Sequence, residues 1–175
     1  MGISYRTLIG SEETIKRIEE LGKEISKDYE GKEVTTICVL KGGVMFMAEL
    51  AKNISVPLTM DFMAVSSYGN ETSSTGVVKI IKDLDESIEG KDILIVEDII
   101  DSGRTLSYLM KLLEERKPHS IKICTLLDKP ERRIVDVAVD YVGFSIPDEF
   151  VIGYGLDYQQ NYRNLPYIAV VDQIN

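Results

Sequence analysis

Between Ser11 and about Tyr29, the apolar residues Ile15, Ile18, Leu21 and Ile25 recur three and four positions apart, which predicts an amphipathic helix. Glu12 and Glu13 in its first turn suit the positive end of the helix dipole, and Gly31 stands just past its end. The pattern then changes to VTTICVL (Val34 to Leu40), a short β-rich run that predicts a strand. Lys41-Gly42-Gly43 stops it, and VMFMAELAKN has the length and the helix formers of a second helix. The same order returns downstream. KDILIVED (Lys91 to Asp98) predicts a nearly continuous apolar strand and IIDSG a turn. RTLSYLMKLLEER then predicts a helix with Leu106, Leu109, Met110 and Leu113 on one face, and SIKICTLL (Ser120 to Leu127) the next strand.

Apolar strands alternating with helices of ten or more residues predict a mostly parallel sheet covered on both faces, hence an α/β fold. With no internal repeat, low-complexity tract or linker, residues 1–175 are expected to form one domain. Pro57 to Tyr68 and Gly76 to Leu84 predict strands flanking GNETSST, a polar loop without an apolar anchor and therefore expected to be mobile. After Lys129-Pro130, the runs VDVAVDYVGF, EFVIGYG and YIAVV are expected as strands or edge elements that return over the sheet.

Composition narrows the chemistry. A chain of 175 residues, 44% of them hydrophobic, can bury roughly two thirds of its unfolded surface without a staple. No window reaches the roughly 20 apolar residues of a membrane span, and the first ten residues lack a leader pattern, so a soluble cytoplasmic protein is expected. Cys38 and Cys124 lie in apolar runs, without CxxC or Cys/His spacing, and are expected as buried reduced thiols. The formal charge of -9 repels phosphate backbones and argues against nonspecific nucleic-acid binding. An anionic ligand must then be held by a few placed cations, by N–H groups at a helix start, or through a metal ion.

VEDIIDSGRTL (Val96 to Leu106) offers such a place: an apolar strand ending in two carboxylates, a third three residues on, and a small-residue turn opening a helix. In an open parallel sheet, ligands sit beyond the carboxyl ends of strands. There Gly103 allows close approach, Ser102 and Thr105 offer hydroxyls, and Arg104 offers positive charge or faces solvent. Glu97 and Asp98 suit the two hydroxyls of a ribose or the water shell of a magnesium ion. The plainer alternative leaves Glu97 and Asp98 solvated and has Asp101 or Ser102 cap the helix. The chain has no GxxxxGK[ST] string, and GYG at Gly153 to Gly155 is too little of GxGxxG to indicate a dinucleotide. His119, the only histidine, is remote from these motifs and is expected to be structural or exposed.

The string from strand through carboxylates and turn to helix resembles the 5-phosphoribosyl diphosphate (PRPP) signature of type I phosphoribosyltransferases. EDIIDSGRT, with LKGG at Leu40 to Gly43, LLDK at Leu126 to Lys129 and FVIGYGLDYQQNYR at Phe150 to Arg163, looks specifically like the hypoxanthine-guanine members in their compact, bacterial-like form. These motifs extend the resemblance from about residue 5 to residue 172. It implies the type I fold, with a small hood built from the terminal segments. It also implies purine salvage, in which PRPP and a 6-oxopurine react with Mg²⁺ in a homodimer or homotetramer.

The resemblance also carries roles. Asp101 matches the general base beside nitrogen 7 of the purine, and the turn Asp101, Ser102, Gly103, Arg104 and Thr105 matches the grip on the 5-phosphate. Glu97 and Asp98 match the ribose contacts close to the metal. Lys41, Gly42 and Arg163 match the pyrophosphate contacts, and the Leu40–Lys41 peptide can be cis in this family. On the purine side, Lys129 matches the donor to the 6-oxo oxygen, Phe150 the stacked ring and Val151 the backbone at the purine edge. Asp157, also on that side, matches a carboxylate at the second magnesium position. Ser67 and Tyr68 open a loop, about 67–75, that resembles the family's lid. Taken alone, Lys129 would pass for a surface lysine, Phe150 for core and Asp157 for a turn acid. Ser102 stands where many members have Thr, and Arg104 where many have Lys. Two other outcomes stay open at the level of sequence: a xanthine-preferring transferase, and a nucleotide-sensing regulator on the same fold that binds nucleic acid.

Overall fold

The strand of residues Asp92–Ile100 (β5) sits inside a six-stranded sheet and explains why its sequence is apolar without a break. Its side chains alternate between two cores, one on each face of the sheet. Leu94 and Val96 join Ile18, Leu21 and Ile25 of α1 (Ser11–Asp28) and Phe46, Met47 and Leu50 of α2 (Val44–Lys52). Ile93 and Ile95 join Leu106, Leu109 and Leu113 of α3 (Arg104–Glu114). A half-exposed strand would alternate apolar with polar residues, whereas this one must be apolar at both phases.

The computed structural model describes residues 2–67 and 78–174. In the main sheet β2 (Val34–Leu40) lies between β3 (Leu58–Ser67) and β5, and β6 (Ser120–Asp128) and β7 (Tyr141–Ser145) follow on the far side. Every neighbouring pair is parallel except β3 with β4 (Val78–Lys82), which is antiparallel at the edge. A second sheet of three antiparallel strands, ordered β1–β9–β8, joins Ile3–Ile9 (β1), Ile168–Ile174 (β9) and Val151–Ile152 (β8). It is the hood. Arg6 on β1 fastens it by donating to Asp172 on β9 at 3.1 Å and to Glu149 ahead of β8 at 3.2 Å.

The expected helices and the strands β2 and β6 lie within a residue or two of their predicted bounds. Three segments differ. β5 continues two residues past Asp98, because Ile99 and Ile100 still pair with Leu127 and Asp128, so the paired carboxylates lie inside the strand. Residues 135–140 are not a strand; the N–H groups of Ile134 and Val135 instead donate to the Ser102 carbonyl at 2.9 and 3.1 Å. The run EFVIGYG shrinks to Val151–Ile152, since Gly153, Tyr154 and Gly155 turn to positive φ. β1, for which no strand is expected from the sequence, completes the hood.

Cys38 and Cys124 are buried and unpaired, as expected, and burial pushes the Cys38 thiol up to about 12. His119 is exposed and hydrogen-bonds Asp92 Oδ1 at 2.8 Å, a structural contact at the opposite end of β5 from the carboxylates. No helix among the described residues is long and apolar enough to cross a membrane.

Leu94 is fully buried between helices and sheet, so Leu94→Ala is expected to cost about 2–5 kcal/mol of stability, measured by urea denaturation.

Candidate active site

A cleft of about 370 Å³ opens at the carboxyl ends of β2 and β5. Its walls include Gly42, Glu97, Asp98, Asp101, Ser102, Gly103, Thr105, Asp157 and Arg163. Nine of the residues singled out in the sequence thus face one space. Lys41 joins them through Gln160, whose Oε1 accepts from Lys41 Nζ and from Arg163 Nη2, each at 3.3 Å. The Leu40–Lys41 peptide is cis.

Two glycines shape the floor. Gly103 takes φ +81 as the chain leaves β5 for α3, and a Cβ there would stand 2.5 Å from the Val135 carbonyl oxygen. That left-handed corner brings the start of α3 onto the cleft, with Thr105 and Leu106 in its wall. Neither Asp101 nor Ser102 is the N-cap; Gly103 is, and Ser102 Oγ accepts a long bond of 3.3 Å from Arg104 N–H. Arg104 opens α3 outside the cleft wall. Gly42 is demanded by closeness, because a Cβ built on it would overlap Asp98 Oδ2.

The acids differ in their surroundings. Burial pushes the Glu97 carboxyl well up, and the adjacent Asp98 charge adds to it. Burial also raises Asp98, from 3.8 to about 6, although the Ile99 N–H and the nearby Arg163 charge favour its ionised form. A pair whose ionised form is disfavoured in this way marks a functional cleft better than a solvated strand end does. Asp157 is already engaged: Oδ1 pairs with Arg163 Nη2 at 2.9 Å, and Oδ2 accepts from Gln160 N–H at 2.8 Å.

Among the described residues, no three His, Cys, Asp or Glu side chains are close enough to form a metal site. The donor set of Glu97 and Asp98 fits magnesium nonetheless, since that ion usually takes one or two carboxylates and completes its shell with water and substrate phosphates.

Lys129, Phe150 and Val151 are not among the residues that line the cleft. Lys129 is buried, its N–H donates to the Ile100 carbonyl at 3.0 Å, and its ammonium lies 3.9 Å from Asp148. Phe150 is half exposed, with Tyr158 edge-on at 6.0 Å, and so is no core residue; Val151 beside it is buried on β8. Arg132, which like Asp148 and Gln160 was not singled out in the sequence, donates to Asp101 Oδ1 at 2.9 Å. Ser67 is the last residue of β3, and Tyr68 with the rest of the expected lid lies outside the described residues.

Residues 7–159 match the phosphoribosyl transferase domain. The chain belongs to the phosphoribosyltransferase family. It is 60% identical over 166 residues to the hypoxanthine-guanine phosphoribosyltransferase of Bacillus subtilis, covering 95% of this chain and 92% of that one. It is also 57% identical to the hypoxanthine phosphoribosyltransferase of Salmonella typhimurium, covering 96% of each. A crystal structure of a hypoxanthine-guanine phosphoribosyltransferase from Bacillus anthracis superposes with a TM-score of 0.93 at 51% identity, over 97% of this chain and 99% of that one. This phosphoribosyltransferase therefore has the type I fold, with a parallel core and a hood from both termini. Neither a xanthine-preferring enzyme nor a nucleotide-sensing regulator is favoured by these relatives.

Two outcomes follow for this phosphoribosyltransferase. Gly42→Ala must displace the Asp98 carboxylate, and is expected to lower kcat/KM about 100-fold while circular dichroism stays native. Asp98 titrates near 6 when folded against 3.8 otherwise, so between those values the folded state binds a proton that the unfolded chain lacks. Ionised Asp98 is thus a burden above about pH 6, relieved as pH falls toward 4. In metal-free buffer, Asp98→Asn is expected to stabilise the fold near neutral pH by at most about 3 kcal/mol, with the gain gone below about pH 4. Thermal unfolding across pH measures it.

Proposed function

We propose that the chain transfers the 5-phosphoribosyl group from PRPP to hypoxanthine or guanine, giving IMP or GMP and pyrophosphate, and so serves purine salvage. The observation that carries this is the convergence of Glu97, Asp98 and Asp101 with the Ser102–Thr105 turn in one cleft. As the bond from the anomeric carbon to pyrophosphate breaks, positive charge develops on the ribose and negative charge on the leaving group. The site must stabilise both.

The turn from Asp101 to Thr105 grips the 5-phosphate with hydroxyls and helix-start N–H groups. Glu97 and Asp98 hold the ribose hydroxyls, and their negative potential favours the electron-poor sugar. Lys41, the Gly42 turn and Arg163 receive the pyrophosphate, the two cations being kept near each other by Gln160. Mg²⁺ bound through Glu97 and Asp98, with Asp157 nearby, would neutralise charge on the departing diphosphate. Phe150 stacks on the purine, with Val151 and Asp157 toward its edge. Lys129 donates to the 6-oxo oxygen and would meet the amino group of adenine donor against donor, so adenine is rejected. Asp101 takes the proton at nitrogen 7 while nitrogen 9 attacks.

We extend the proposal to a single cytoplasmic domain that acts as a homodimer or homotetramer. A mostly apolar groove between α2 and β3, lined by Val44, Met47, Leu58, Met60 and Phe62, supports assembly, with Met60 54% exposed.

The test is magnesium-dependent synthesis of IMP from hypoxanthine and PRPP. Asp101→Asn is expected to lower kcat about 10²–10⁴-fold with PRPP binding and thermal stability retained. Near-normal turnover in that variant would overturn the base assignment.

A further inference from the structure

We infer that Arg132 is a positioning residue for Asp101, holding one carboxylate oxygen so that the other is presented to the purine. The inference rests on the reading of Asp101 as the base. Its observation is a brace of consecutive residues laid against the β5–α3 turn. Arg132 Nε donates to Asp101 Oδ1 at 2.9 Å, whereas Arg133 Nε donates to the Asp101 carbonyl at 3.3 Å. The N–H groups of Ile134 and Val135 continue the brace on the Ser102 carbonyl. One arginine therefore fixes the side chain of Asp101 and the next its main chain.

Both arginines are themselves anchored. Arg133 pairs with Asp128 at the end of β6. Arg132 Nη1 lies 3.5 Å from Asp148 Oδ2, and Asp148 Oδ1 lies 3.9 Å from the Lys129 ammonium. Lys129 and Arg132 also share one turn, since Arg132 N–H donates to the Lys129 carbonyl at 3.1 Å. Charges of alternating sign thus run from Asp101 through Arg132 and Asp148 to Lys129, tying the proton acceptor to the residue that reads the 6-oxo group. The guanidinium is planar and donates in fixed directions, so it orients a carboxylate in a way that a point charge does not.

Stability alone does not account for the contact. Arg132 and Asp101 are 52% and 46% exposed, and pairs this open contribute little to folding. Orientation of a reacting group does enter the rate, because small misplacements are costly in the transition state.

The experiment is steady-state kinetics and thermal unfolding of Arg132→Ala, Arg132→Lys, Asp101→Asn and the Arg132→Ala/Asp101→Asn double variant. Arg132→Ala is expected to lower kcat about tenfold with KM for PRPP and the thermal midpoint unchanged, and Arg132→Lys to recover part of the loss. In the Asp101→Asn background, Arg132→Ala is expected to change kcat by less than about twofold, since its target is already gone. Full activity of Arg132→Ala, or a loss that multiplies in the double variant while Asp101→Asn alone is impaired, overturns the positioning role. Near-normal Asp101→Asn overturns the base assignment instead, and the inference with it.

Discussion

Glu97 and Asp98 are consecutive on one strand, in a cleft where burial raises both carboxyls and the charge of Asp98 adds to the lift on Glu97. Two like charges in poorly solvated surroundings repel each other and resent the loss of water. They stay because β5 is held on both faces by separate cores and on both edges by parallel neighbours. Much of the local architecture answers to that pair. The β2–α2 turn must be glycine where it touches Asp98, and Arg163 stands close enough to lower the cost of ionising it. In the proposed reading, a cation carried in with a diphosphate would relieve both carboxylates and so couple sugar binding to ion binding.

The opposite problem is how an acidic chain would hold the proposed ligand, which carries several negative charges. With a formal charge of -9, long-range attraction is absent and the field must be built within a few ångströms. Lys41 and Arg163 stand near each other on one side, both donating to the neutral acceptor Gln160. On the other side stand the hydroxyls and N–H groups of the turn into α3, whose first residue, Arg104, lies outside the cleft wall. In the proposed reading, Lys41 and Arg163 face the group that leaves, and hydroxyls and N–H groups face the phosphate that remains.

Much of this was legible in the residues. β2, β5 and β6 announce themselves because strands covered on both faces have to be apolar at every position. The helices α1 and α3 show through their spacing. The site was legible wherever its members sit in one short string, as Glu97 to Thr105 do. What escaped notice depends on long-range geometry. β1 has only two residues with little exposure at its far end, Leu8 and Ile9, and becomes a strand through its partner more than 150 positions away. Residues 135–140 alternate like a strand, yet the backbone just before and at their start is spent on the Ser102 turn. Arg132, Asp148 and Gln160 gain meaning only from where the fold sets them, and nothing in their neighbours hints at it.

The pairing of Ile3 with Ile174 has a consequence for how the molecule comes into being. β1 is made more than 150 residues before β9, so residues 3–9 have no partner strand until β9 follows. β8, which carries Val151, also leans on β9. The turn that ends β5 can therefore form on a nascent chain whose hood is still open, and the hood closes only when β9 is made.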